Sequence, residues 1–536
     1  QKSCNSLENQ KPTIFEWKQL DGNQINCTIA SDGPFADFRK TYQAGFEWPK
    51  DSGTTTIFTA GLWMNGKHRP SDSLRTANMD FASEYQPGPL LEVFNTTTND
   101  DTGPVSRAGD ERYRLYKISR GDTTSTDYEE WPGDLGAPYI DVNENGKWDP
   151  GVDRPRFFGD QQIWAAINDV NNSLHAPLGA TPPMGLEVQM LFYVLNTPHP
   201  LENTMFIHWK IINKSDADYD SVYLGIWIDV DLGDANDDLP GSDTTLALGY
   251  GYNGDNDDEY GHGYGSTPPA VGCTMLDGPI VPGGPGDSGR VGDVWRKGYR
   301  NLPPSSYIIF SDGVYSQLSF PWDGTPSYAP VARNAHEGKA SQTGEHFRGV
   351  DSTIMPFWFD GDPVTGTGNL PSTFPLGPFR PQDVWMMLNA GPFTLTQGDT
   401  QGVAAAIVVS RGADRLESVT LLKQDVAWVR NFYESGGVVS VEDDHVGLPE
   451  KACLHQNYPN PFNPSTTLEF TIPRSSNVSL RIYNVLGEEV ASLVEREMDA
   501  GVHRVLWDAS GVASGVYLCR LSAGDFVQVR RMVIVR

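Results

Sequence analysis

Apolar residues along the chain gather in short runs separated by glycine, proline and aspartate. The runs TTTIFTAGLWM (54–64), LEVQMLFYVL (186–195), MFIHWKIIN (205–213), SVYLGIWIDV (221–230), TLALGYGY (245–252), SSYIIF (305–310) and GVAAAIVVS (402–410) are strand-length and rich in β-branched and aromatic residues. They predict a large β-sandwich body with long loops, built as one sandwich or as two sub-domains. One segment breaks the pattern. From Asp414 to Tyr433, Leu416, Val419, Leu422, Val426, Val429 and Tyr433 recur at spacings of three and four, which predicts a helix closing the sheet.

Beyond residue 439 the pattern changes twice. SVEDDHVGLPEK (440–451) is acidic and aperiodic, as a linker over 440–452 should be. YPNPFNPST (458–466) then places three prolines in six residues, a stiff extended lead-in to a strand. After it Leu468, Phe470 and Ile472 share one face, as do Val478, Leu480 and Ile482 on the next strand. NVLGEEV supplies a turn, and GVHRVLWDAS, GVYLCRLSAG and FVQVRRMVIVR add strands. Six or seven short strands in 453–536 predict a small immunoglobulin-like sandwich. The fold class expected is therefore all-β: body over 1–439, small sandwich over 453–536.

The strings QNYPNPFNPST, VSLRIYNVLGEEV, GVHRVLWDAS, SGVYLCRLSAGDF and the closing RRMVIVR, in this order, resemble the type A C-terminal sorting domain of the bacterial type IX secretion system. That domain is similar to the Ig-like domain of flagellar hook-capping proteins. The resemblance implies export across a Gram-negative outer membrane, a partner in the secretion machinery, and an extracellular or outer-membrane cell-surface location. The body phrases GLEVQ, IINKS, DVDLGDANDD and PPAVG resemble large secreted proteins bearing the same kind of tail. That likeness implies a secreted, β-rich, calcium-dependent protein and names no reaction.

Charge narrows the picture. The formal net charge is −29, yet Ala452–Arg536 carries eight arginines against eight acids, so the whole excess lies in the body. Such a field disfavours nucleic acid and anionic lipid and favours divalent cations. No apolar run is long enough for a membrane-spanning helix. The start at Gln1 without a leader is read as a mature chain whose signal peptide has been removed. Five cysteines occur without a CxxC; their grouping suggests bridges Cys4–Cys27 and Cys453–Cys519, with Cys273 free.

Candidate chemistry lies in acidic loops. DVNENGKWDPGVD (141–153) sets Asp141, Asn143, Asn145 and Asp149 at calcium-loop positions 1, 3, 5 and 9, with glycine at position 6. The Lys147 carbonyl falls at position 7, and Asp153 comes one residue later than the usual final ligand. In YLGIWIDVDLGDANDDLPGSD (223–243), Asp229 and Asp231 share one strand face. Asp234, Asp237, Asp238 and Asp243 follow with Asn236, a density that repels itself unless a cation neutralises it. NGDNDDEYGHGYG (253–265) is a third such stretch, either a cation loop or a surface loop. HEGKASQTGEH (336–346) lacks zinc spacing, GDSG (286–289) lacks protease context, and no phosphate loop occurs.

These features predict a calcium-stabilised secreted structural or surface protein, without catalytic residues, that self-associates into a homo-oligomer, filament or surface layer. Two other readings stay open. One is a glycan-binding adhesin using Trp131, Trp148, Trp164 or Trp227. The other is a polysaccharide hydrolase using Asp229 and Asp231.

Overall fold

The computed structural model describes residues 15–435 except 102–109, 176–180, 259–262, 293, 312–314 and 321–327. It also describes 452–534 except 455–456, 458–459, 461, 463–464, 473, 499–500 and 525. The expected linker and most of the proline-rich lead-in lie outside these residues. The chain divides into two compact units, Gln1–Ser440 and Val441–Arg536.

The body is one sandwich of two antiparallel sheets. The first runs Trp17–Leu20, Asn26–Ala30, Phe46–Glu47, Thr55–His68, Tyr219–Val230, Val384–Leu395, Ser306–Ser311, with Ser73–Asn78 also paired to Thr55–His68. The second runs Asp238–Asp243, Leu248–Asn253, Ala270–Asp277, Thr400–Ser410, Thr204–Asn213, Leu186–Val194, Gln161–Asn168, Gln86–Pro87, with Tyr116–Ser119 added beside Gln161–Asn168. Leu224, Ile226, Ile228 and Val230 point into the sandwich together with Val188, Phe192, Ile207, Trp209 and Ile407. The sheets meet closely: a Cβ on Gly251 of the second would stand 2.6 Å from the Val230 side chain of the first.

Both outer faces are covered as well, which is why the central strands read as apolar runs rather than strict alternation. On the first sheet the cover is aromatic. Trp63 and Trp227 stack at 6.3 Å, and Phe81, Phe320 and the helix Tyr328–His336 close over them. Trp227 is therefore a core residue and offers no platform for a sugar. On the second sheet the helix Arg415–Glu434 buries Val419, Leu422, Val426, Val429 and Tyr433, and Asp414 caps it by accepting from the Leu416 and Glu417 amides. A long segment carrying Trp131, Phe157 and Phe158 packs on part of the rest of that face, against Tyr116 and Trp164 of the sheet.

The C-terminal unit is a second two-sheet sandwich. Cys453–Leu454, Ser465–Ile472 and Gly501–Asp508 form one sheet. Glu489–Met498, Ser476–Asn484, Gly515–Ala523 and Phe526–Ile534 form the other. Leu468, Phe470, Ile472, Val478, Leu480, Ile482 and Trp507 fill its core, as alternation predicts.

The expected bridges are corrected here. Cys453 and Cys519 are both free. Leu454 is fully buried, so the alternating strand turns neighbouring Cys453 away from the core. Cys519 faces inward between Tyr517 and Leu521 on the opposite sheet, and burial pushes its thiol up to about 12. Cys27 is also a free thiol, buried inside the body, while Cys4 lies outside the described residues.

Candidate calcium sites and the sorting domain

The loop 141–153 stands on a small ribbon. Tyr139–Ile140 pairs with Arg154–Pro155, so the calcium-like stretch is closed at its base. Gly146 adopts φ 76°, the left-handed turn that glycine takes without strain. Asp141 accepts from the Asn145 and Gly146 amides at 3.2 and 2.6 Å. Asp153 accepts from the Val142 and Asp149 amides at 2.9 and 2.7 Å, so it turns back into the loop despite its late position. Asp149 accepts from the side-chain amides of Asn143 and Asn145 at 2.8 and 2.5 Å, and these bonds hold its carboxyl below the usual range. Two amides donating to one carboxylate do what a cation would do there. Turning both amides over would present their oxygens instead.

The second acidic stretch lies at the sandwich edge, and the structure extends it in a way the sequence does not announce. Asp229 and Asp231 leave the strand Tyr219–Val230 on one face, beside Asp383 at the start of the neighbouring strand. Asp237, Asp238 and Asp258 gather around the following turn. Asp258 accepts from the Asp234 and Tyr264 amides at 3.0 and 2.7 Å, and Asp238 from the Leu232 amide at 3.1 Å. Gly233 makes room, since a Cβ there would fall 2.1 Å from an Asp258 oxygen. The second and third acidic stretches thus form one nest. Asp258 comes from the third stretch, which the fold brings against the second, and Asp383 reaches the nest through the fold alone, with no local spacing to mark it.

Desolvation, then neighbouring negative charge, dominates this nest. Burial and the charge of Asp383 and Asp231 push the Asp229 carboxyl well above its ordinary value. Burial followed by Asp383 and Asp234 pushes Asp231 up to about 7. Burial raises Asp237 to about 6, with Asp258 and Asp234 adding to it. Burial also drives Asp238 well upward, only partly opposed by the Leu232 amide. Among the described residues, no ion pair neutralises Asp229, Asp231, Asp237, Asp238 or Asp258. Asp237 Oδ1, Asp238 Oδ1 and the hydroxyls of Thr56 and Thr59 are buried without hydrogen-bond partners there. Thr59 sits directly across from Asp229. Buried oxygens of this kind are ordinarily satisfied by water or an ion.

Asp243 does not join the nest. It lies at the far end of the strand Asp238–Asp243, roughly 17 Å along the chain, capping the Thr245 amide and pairing with Lys423 at 3.3 Å. Asp234 stands at the rim, accepting from Asn236. Among the described residues, no three acidic, histidine or cysteine side chains converge into a group able to hold an ion by themselves. Coordination at either place would draw also on amide, carbonyl or hydroxyl oxygens, as calcium accepts. His336 is buried in the helix Tyr328–His336 against Asn389 Oδ1 at 2.9 Å, and His262 lies outside the described residues.

No match to the chain was found among curated proteins. Among solved structures, similarity extends to a polysaccharide lyase at 7% identity and TM-score 0.17, covering 67% of this chain and 36% of that one. It extends also to dimeric latent PorU from Porphyromonas gingivalis at 12% identity and TM-score 0.15, covering 70% and 31%. The chain spans about a third of the length of these structures, and likeness at this level carries no argument about fold or function. No helix among the described residues is long and apolar enough to cross a membrane. The family model for the secretion system C-terminal sorting domain matches residues 456–535, which hold six of the seven described strands of the C-terminal sandwich. That unit is a type IX secretion sorting domain, and it marks the chain for export to the cell surface or extracellular space of a Gram-negative bacterium.

Proposed function

We propose that this exported chain is a non-catalytic surface protein whose β-sandwich body is tied together by calcium outside the cell. The observation that carries the reading is the nest at Asp229, Asp231, Asp237, Asp238 and Asp258. Its carboxylates are withdrawn from water with no cationic side chain beside them among the described residues. Like charges held this way are costly at neutral pH unless a cation joins them. The loop 141–153 offers a second, smaller site of familiar spacing. Asp229 is 4% exposed, and it shares a strand face with Asp231 instead of opposing it across a cleft, which suits an ion better than a glycosidic bond.

A body of this kind serves as a scaffold, and we infer that copies associate. The edge strand Phe526–Ile534, with Val527 and Val529 half exposed, offers a place for strand addition. Elemental analysis of the purified chain should find bound calcium, and EDTA should lower its melting temperature. Sedimentation should show species larger than one chain. A calcium-free chain indifferent to EDTA overturns the calcium reading; a strict monomer at all concentrations overturns the scaffold.

A further inference from the structure

A cleft of about 560 Å³ opens on the outer face of the second sheet, between the segment that carries the 141–153 loop and an inserted hairpin, Ser288–Val291 with Val294–Lys297. Neither acidic site belongs to it. Trp164, Gln189 and Lys210 come from three adjacent strands to form its floor, with Gln189 directly opposite Lys210. Tyr139 and Arg156 stand on one wall, Arg290 and Arg296 on the other.

Its charge runs against the rest of the body. Among the described lining residues four are basic, Arg156, Lys210, Arg290 and Arg296, and one is acidic, Asp277. Asp277 is already satisfied: Arg290 binds it at 2.7 Å and the Tyr433 hydroxyl donates to it at 2.8 Å. Among the described residues, Arg296 has only a loose 3.8 Å approach to Asp399. Lys210 is exposed with no ion pair among the described residues. His208, half-buried beneath them, also lines the cleft and is hydrogen-bonded at 3.2 Å to the Tyr193 hydroxyl. At physiological salt, fields fade over about 8 Å, so the cations that line the cleft are the nearest charges to a ligand at its floor, while the acids of the 141–153 loop bear on the Tyr139 wall. The volume falls within the roughly 300–1,000 Å³ of small-ligand sites.

We propose that this cleft binds a sugar chain bearing carboxylate groups. Lys210, Arg296 and Arg156 would meet the acid, and Tyr139 and the Gln189 amide would meet the ring and its hydroxyls. Arg binds a planar carboxylate in two-point fashion, and aromatic faces suit the apolar side of a sugar ring. The inference does not depend on calcium in the acidic nest.

The test uses the full chain and calorimetric titration with three probes: hyaluronate hexasaccharide, its neutral counterpart chitohexaose, and sodium sulfate. Binding of hyaluronate, with at least tenfold weaker binding of chitohexaose and sulfate, is expected. The double variant Lys210→Ala/Arg296→Ala should weaken hyaluronate binding at least tenfold while its melting curve stays unchanged. Both side chains lie at the surface, so folding is not at stake. Absence of hyaluronate binding, equal binding of chitohexaose, equal binding of sulfate, or an undiminished double variant each overturns the proposal. A chain that binds hyaluronate yet contains no calcium leaves this cleft standing and removes only the cation reading.

Discussion

Replacing Asp231 by asparagine separates a calcium nest from a merely acidic one, because the two give opposite signs. The side chain is largely buried, and its carboxyl titrates near 7 instead of 3.8. A raised carboxylate contributes no penalty below pH 3.8, a growing one up to about 7, and the full one above. That interval corresponds to about 4 kcal/mol. For a body of roughly 420 residues, at about 2.1 cal/mol/K of unfolding entropy each, it amounts to about 5 °C in melting temperature. In EDTA at pH 8, Asp231→Asn should therefore melt about 5 °C above the parent, and the gain should vanish near pH 4. In millimolar calcium the same variant should melt below the parent, having lost a ligand. Differential scanning calorimetry in the two buffers reads both signs. An equal rise in calcium and in EDTA would show that no cation is held there and would refute the reasoning.

Three further outcomes follow from the packing. Burial tends to lower the His175 imidazole, but Glu84 at 3.3 Å and Asp169 at 3.9 Å outweigh it and push the group up to about 9. Its stabilisation is complete below pH 6.5 and is lost as pH rises through 9, so urea midpoints should fall across that window in the parent and much less in His175→Gln. Ile226→Ala, at a fully buried site of the central strand Tyr219–Val230, should cost about 2–5 kcal/mol by chemical denaturation. Trp507→Ala removes a ring that meets Phe462 at 5.5 Å and Tyr517 at 6.1 Å in the sorting domain. Immunoblots of cell fractions should show the variant retained inside the cell, and unchanged export would detach the core of this domain from its sorting role.

How much could be read in advance depended on range along the chain. The strand Leu186–Val194 and the helix Arg415–Glu434 were legible because hydrophobic spacing is a local signal. The sorting domain was legible because several motifs recur in order. The acidic stretch after Val230 was legible as a density of charge, yet its membership was not. Asp243 is carried away by an extended strand, while Asp258 and Asp383 arrive from distant segments whose pairing no local pattern encodes. Trp227 stands beside acidic residues in the sequence, but Phe320 and Phe81 pack over it from outside the sheet. The Cys453–Cys519 pairing failed for a similar reason: strand parity sends the two thiols in different directions. The basic cleft has no signature in the sequence, because its residues come from several segments between 136 and 404, each unremarkable alone.

The strands Val384–Leu395 and Thr400–Ser410 are consecutive in the chain, yet the first lies inside one sheet and the second inside the other. Neither layer can be completed until the polypeptide has been made almost to residue 410, and the helix Arg415–Glu434 and the acidic stretch 440–451 are all that remain in the sequence before the export unit. A nascent fragment ending earlier would show unpaired edges in both layers, the kind of species that invites aggregation. The order of synthesis therefore delays closure until the address for secretion is about to emerge. Truncations ahead of Val384 should consequently accumulate as insoluble material, not as smaller working domains.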